Sequence, residues 1–141
     1  MNTKDLATKA VTRLHEAVFR ASNGKLLGRG AGMPVLMLTT TGRKSGQPRT
    51  TMLTTPLRDG DAIMLVASNG GDDRHPAWLL NLRENPAVEV TMDGHTTPMT
   101  AHVADVDEKA RLWPRIVADH AHYGSYQTKT DRDIPVVVLE P

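Results

Sequence analysis

Residues 39–49 read Thr-Thr-Thr-Gly-Arg-Lys-Ser-Gly-Gln-Pro-Arg and separate two runs with strand character, 35–38 and 50–53. A chain that leaves one strand and enters another within so few residues reverses on itself. The segment is therefore the tip of a β-hairpin, and it commits this part of the fold to antiparallel pairing. Gly42, Gly46 and Pro48 supply the turn chemistry. The turn does not require Arg43, Lys44 and Arg49. Three cations around backbone amides that glycine leaves open suit a polyanion, such as a phosphate with carboxylates beyond it. An exposed tip is also made basic for solubility alone, and spacing does not separate the two readings. The order is neither that of a P-loop nor that of a dinucleotide-binding fingerprint.

Further strands are expected at 35–40, 49–57, 62–67, 87–92 and 97–104, all rich in Val, Met, Thr and Leu. Explicit turns link neighbours: Arg58-Asp59-Gly60-Asp61 after the second and Asp93-Gly94-His95 after the fourth. The apolar run 134–139 should be an interior strand. A helical insertion is expected over 75–83, with Pro76 in its first turn and Asn85-Pro86 ending it. Asp105-x-x-Glu108 resembles a capping box opening another helix, which Pro114 should kink or delay. Residues 3–22 carry apolar residues at three-to-four spacing and should form an amphipathic helix closed near Gly24. Its lysines and arginines make peripheral membrane association one reading. Packing against the chain's own barrel is preferred, because large apolar residues are few and Asp5 and Glu16 dilute the positive face. Six strands and three helices give an α+β class, a small β-barrel with helices packed outside.

One domain is expected over 1–141, with 1–24 as the helix and 25–141 as the barrel. The net charge is +1, from 17 basic and 16 acidic side chains. A general nucleic-acid binder needs a clear positive excess, so the basic character, being local, is aimed at one small ligand. The chain has no cysteine, which excludes disulfides, thiolate metal sites, iron–sulfur clusters and thiol catalysis. No secretory segment and no apolar run of about 18 residues is present, so the expected location is cytoplasmic and non-spanning.

Ser68-Asn69-Gly70-Gly71-Asp72-Asp73-Arg74-His75-Pro76 leads from a buried strand into a helix. Its glycines allow close approach to a ligand, and the helix end adds positive potential. Asp72, Asp73 and His75 invite a metal reading. Adjacent carboxylates diverge in a loop, however, and no second histidine stands at ligand spacing. N-capping by Asp73 is the simpler role, and no metal is assigned. Tyr123 and Tyr126, both of the chain's tyrosines, follow His120 and His122. A neutral phenol is a good donor to a developing oxyanion, and tyrosines at this spacing also simply pack. No nucleophile elbow or Ser-His-Asp arrangement appears. Chemistry without nucleophile, thiol or metal points to a bound organic cofactor.

The hairpin 39–49 closely resembles the signature of the deazaflavin-dependent nitroreductase family, whose members use coenzyme F420, a deazaflavin with a phosphate and an oligoglutamate tail. Ala67-Ser68-Asn69-Gly70-Gly71, Pro76-Ala77-Trp78-Leu79-Leu80-Asn81-Leu82, Asn85-Pro86 and the run from Tyr123 to Val138 resemble it in order and spacing, over about residues 25–141. The resemblance implies a split β-barrel of about six mostly antiparallel strands, like that of flavin-binding pyridoxamine-phosphate-oxidase proteins. It also implies hydride transfer from reduced coenzyme F420 to a small electron-poor acceptor: a quinone, an enone or other activated alkene, a coumarin-type lactone or, in some members, a nitroimidazole.

By the same resemblance Arg43, Lys44, Ser45 and Arg49 hold the phosphate and tail. Met52, Ala67 and Ser68 lie beside or beneath the ring, and Asn69, Ala77, Trp78 and Asn81 flank the tail. Tyr126, then Tyr123 and Ser68, are the candidate proton donors. Tyr123, Tyr126, His120 and Thr54 border the acceptor. Asn69 stands where a lysine occurs, His120 where a tyrosine occurs and Thr54 near an aromatic position, departures that touch the tail and the acceptor pocket rather than the hairpin. The rival reading is a barrel that binds the coenzyme, a tetrapyrrole or a fatty acid without turnover; an FMN reductase on the same fold is a third. The assembly expected is a monomer or a homodimer.

Overall fold

The hairpin forms as expected, and a curled antiparallel sheet grows from it. In a computed structural model of the chain, the described residues are 29–30 and 33–141. The helix expected over 3–22 lies outside them. Strand β1 (Arg29–Gly30) leads into β2 (Met33–Thr41), which pairs with β3 (Pro48–Thr54) from Val35↔Thr54 to Thr41↔Pro48. The remaining strands are β4 (Leu57–Asp59), β5 (Ala62–Val66), β6 (Ala87–Met92), β7 (His95–Val103) and β8 (Val136–Glu140). The sheet order is β1-β2-β6-β7-β8-β5-β4, with β3 also on β2. The final apolar run lies between β7 and β5, as an interior strand should.

The single strand expected over 49–57 is instead two, and with the short β1, which was not expected, the count among the described residues is eight rather than six. Pro56 has no N–H to give a ladder, and Thr55 turns inward, 1% exposed. Its N–H donates to the Pro34 carbonyl at 3.0 Å, and its hydroxyl lies 2.7 Å from the Met64 carbonyl and 3.0 Å from that of Leu57. On one side of this break β3 pairs with β2; on the other β4 pairs with β5. Two residues thus join one edge of the sheet to the other. That join closes the sheet into a split barrel.

Among the described residues three α-helices pack outside. α1 (Ala77–Glu84) starts later than expected, with Pro76 extended at its N-cap. α2 (Val106–Asp119) begins where the capping signal placed it, the Asp105 carboxylate accepting from the Glu108 N–H at 2.8 Å. The helix runs through Pro114, so the late start allowed for Pro114 does not occur. Glu108 completes no reciprocal cap; its carboxylate meets His102 at 2.9 Å. α3 is His122–Thr128.

The core has two main parts. Leu36, Leu38, Leu65, Val137 and Leu139 meet Trp78, Leu79 and Leu82 of α1. Met33, Met64, Val66 and Ile134 meet Leu112 and Ile116 of α2 and Tyr123 of α3. Each fully buried leucine contributes about 1.5–3 kcal/mol. α1 is thus seated on the barrel by its apolar face, and its other residues are free to border a cleft.

Candidate active site: a cationic cleft beside the hairpin

The tip is tightly wired. The Gly42 N–H donates to the Gln47 carbonyl at 2.8 Å and the Gly46 N–H to the Gly42 carbonyl at 2.8 Å. The Ser45 hydroxyl accepts from the Gln47 N–H and from Arg49 Nη2, each at 3.2 Å. A side chain at Gly42 would come within 2.7 Å of the Ser45 hydroxyl, and Gly46 sits at φ +70°, so both glycines are required. Among the described residues the Lys44 ammonium has no partner. A cation left unneutralised is what a bound anion needs.

The tip forms one wall of a cavity of about 950 Å³. Ser68–Gly70, Arg74–Trp78 and, from β3, Thr50, Thr51 and Leu53 also line it. Four cations line it (Arg43, Lys44, Arg49 and Arg74), and no carboxylate does. The volume lies at the upper end of ligand pockets, about 300–1,000 Å³. A long ligand with an anionic handle fits; a small metal ion does not need this room.

Of the residues singled out from the sequence, the cleft brings together Arg43, Lys44, Ser45, Arg49, Ser68, Asn69, Ala77, Trp78 and Asn81. Met52 lies on the other face of β3, against Val35 and Met37. Ala67 is wholly buried and outside the lining, its N–H donating to the Pro135 carbonyl and its own carbonyl accepting from Arg132. Thr54, His120, Tyr123 and Tyr126 are outside the lining. The Tyr123 hydroxyl is shared with Thr54 Oγ1 at 3.3 Å and lies 3.7 Å from Met33 Sδ. Burial, foremost, and Tyr126 nearby push its pKa up, against the hydrogen bond to Thr54. Tyr126 is half-buried and packs on the same cluster, its ring 6.0 Å from that of Tyr123 and 5.5 Å from His122. The end of α3 packs on the loop next to the lining residue Gly70: a side chain at Gly71 would meet Lys129 and the Tyr126 carbonyl at 3.1 Å.

Asp73 does not cap α1. The helix begins beyond its reach, and its carboxylate accepts from the Thr130 hydroxyl at 2.8 Å instead. Asp72 pairs with Arg74, whose side chain and N–H hold its carboxyl down to about 2. Asp72 thus neutralises Arg74, and Arg43, Lys44 and Arg49 keep the cleft positive.

Sequence reasoning missed the residue that builds the loop. Arg132, in the segment before β8, donates from Nε to the Asp72 carbonyl at 2.9 Å, and from Nη2 to those of Ser68 at 2.8 Å and Ala67 at 3.2 Å. Its Nη1 is 3.1 Å from His75 Nδ1. Gln127 braces this segment, its Nε2 donating to the Arg132 carbonyl and its Oε1 accepting from the Ile134 N–H. These contacts span 57 to 65 residues, so no local pattern announces them. The only available signal was Arg132's place in the terminal run.

A family model described as F420H2-dependent quinone reductase matches residues 11–141. An F420H2-dependent quinone reductase of Mycobacterium tuberculosis (strain H37Rv) is 47% identical over 131 residues, 90% of this chain and 87% of that protein. A solved F420-H2 dependent reductase (FDR-A) superposes with a TM-score of 0.67 at 40% identity, over 76% of this chain and 94% of that one. A solved domain-swapped dimer superposes with a TM-score of 0.70 at 35% identity, over 95% and 99% of the two chains.

Proposed function

The chain belongs to the F420H2-dependent quinone reductase family, and from that premise we propose that it reduces electron-poor organic acceptors (quinones, enones or coumarin-type lactones), with the coenzyme held by its acidic tail against the hairpin. The observation that supports this most is the charge of the cleft: four cations and no carboxylate around a space large enough for a ring and a long tail. The bound coenzyme supplies the hydride. Arg43, Lys44 and Arg49 bind its phosphate and glutamates, with Ser45 holding Arg49 in line. Asn69, Ala77 and Trp78 border the tail. Met52 and Ala67 contribute backbone on the ring side.

Reduction of a conjugated carbonyl places negative charge on oxygen, which preorganised donors stabilise. Ser68 is the best placed of the candidates. Ser68 lines the cleft, is 8% exposed, and its hydroxyl makes no hydrogen bond among the described residues. The Tyr126 hydroxyl is likewise unbonded among the described residues and stands second. Tyr123 is committed to Thr54 and supports the segment from behind. His120 and Thr54 border the acceptor on this side.

The test is anaerobic turnover of F420H2 by the purified protein across a panel of quinones, enones, a coumarin and a nitroimidazole. Return of the oxidised deazaflavin's visible band with a quinone or enone, absent when the acceptor is withheld, is the expected result. Saturable binding without acceleration for any acceptor would leave the carrier reading in its place.

A further inference from the structure

His75 has no role in the mechanism above, yet its ring lines the cleft. Its Nδ1 is 3.1 Å from Arg132 Nη1. A guanidinium carries only donors, so Nδ1 must be the acceptor, its lone pair turned to Arg132. A proton on Nδ1 would set two N–H groups against each other. A neutral ring with Nδ1 bare carries its proton on Nε2. Arg132 thus excludes two of the three ring states, the imidazolium and the Nδ1–H tautomer. Burial, foremost, then the charges of Arg132 and Arg83 act the same way and push the ring's pKa down. Nε2 has no partner among the described residues.

Resting on the assignment of this cleft to the coenzyme, we propose that His75 is a neutral Nε2–H donor to an uncharged carbonyl or hydroxyl oxygen of the bound coenzyme, locked in that tautomer by Arg132 as a positioning residue. Arg43, Lys44 and Arg49 already serve the ligand's anionic groups, and Arg74 is paired with Asp72. A neutral N–H adds a directional contact without adding charge, which suits a ring carbonyl or a polyol hydroxyl. The same guanidinium holds the carbonyls of Ala67, Ser68 and Asp72, so the donor's position and the loop's shape are set together.

Long-range proton–nitrogen correlation spectra of the ¹⁵N-labelled protein read the tautomer directly. Nε2 protonated and Nδ1 bare at neutral pH is expected, with the Nε2–H signal shifting when oxidised F420 is added. His75→Phe should raise the F420 dissociation constant about threefold to tenfold, the loss of one neutral hydrogen bond, while His75→Gln, which keeps an N–H, should stay within about twofold of the parent. Arg132→Met, which takes every N–H donor from the ring, should let it populate both tautomers, whereas Arg132→Lys, which keeps a donor-only cation, should hold more of the Nε2–H form. An Nδ1–H tautomer in the parent protein overturns the proposal whatever binds. So does tight F420 binding that leaves the Nε2–H signal unmoved and His75→Phe unaffected, and that outcome spares the cleft assignment. Failure of the parent to bind F420 removes both.

Discussion

Asn81 Oδ1 accepts two hydrogen bonds from Arg43, one from its backbone N–H at 3.2 Å and one from Nη1 at 3.1 Å. Its Nδ2 donates to Thr40 Oγ1 at 3.2 Å. Only 4% of Asn81 is exposed, so although it lines the cleft, its polar atoms are spent on holding the hairpin. It ties α1 to β2 and fixes the guanidinium that should meet the anion. Asn81→Ala should weaken F420 binding by about 1–2 kcal/mol, in the range for a hydrogen bond to a charged group. If Asn81 acts through Arg43, that loss shrinks sharply when measured in an Arg43→Ala background. Fluorescence titration of the four proteins checks this, and additive losses would make Asn81 a ligand in its own right.

Lys44 and Arg49 should each contribute directly. Lys44→Ala and Arg49→Ala are expected to weaken F420 affinity by about 1–3 kcal/mol apiece. Exposed charges are screened by salt, so the parent's dissociation constant should rise with ionic strength and the variants' should rise less. Unchanged constants for both variants would take the hairpin out of the site.

The hairpin was legible because its glycines, proline and flanking β-prone runs are local signals, and the capping signal at Asp105 was legible for the same reason. The break at Thr55 was not. Thr and Met before Pro56 read as continuous strand, and only the buried partners of Thr55, at Pro34 and Met64, show that the chain changes sides there. The Asp73 cap failed because it assumed a helix start that α1 does not use. Arg132 and His75 were missed as a pair for a plainer reason: they lie 57 residues apart and meet only when the chain returns beneath the loop.

Thr55 makes that break affordable in energy, and the dependence is measurable. Thr55→Val keeps the shape but removes the hydroxyl from the buried Met64 carbonyl. A loss of about 0.5–1.5 kcal/mol follows from removing a buried hydrogen bond. Urea denaturation should show a lower midpoint with an unchanged slope. A neutral result would mean that the closure of the barrel does not lean on this side chain.

Ser68 and Tyr126 separate by kinetics. If the Ser68 hydroxyl stabilises charge on the acceptor oxygen, Ser68→Ala should lower kcat by roughly a hundredfold, the order seen when one oxyanion donor is removed, with little change in F420 affinity. Tyr126→Phe should cost less, since its ring stands outside the lining. Single-turnover mixing of enzyme-bound F420H2 with a quinone gives the chemical step directly. The reverse ranking would place the phenol, not the serine, at the reacting oxygen.

Tyr123 gives a pH signature of its packing. Burial raises its pKa above the ordinary tyrosine value, so the folded state keeps a proton that the unfolded chain gives up. Between those two pKa values the folded state binds more protons, and stability falls as pH rises. The phenol's contribution is therefore whole below about pH 10, the unperturbed value, and is lost above it. Tyr123→Phe removes the hydrogen bond to Thr54 and should cost about 0.5–1.5 kcal/mol near neutrality. It also removes the group that titrates, so the gap between variant and parent should narrow above about pH 10. Paired urea titrations at neutral and alkaline pH measure it. A gap that stays constant would mean that the Tyr123 phenol titrates alike in the folded and unfolded chain, and hence that it is open to solvent rather than held behind the acceptor pocket.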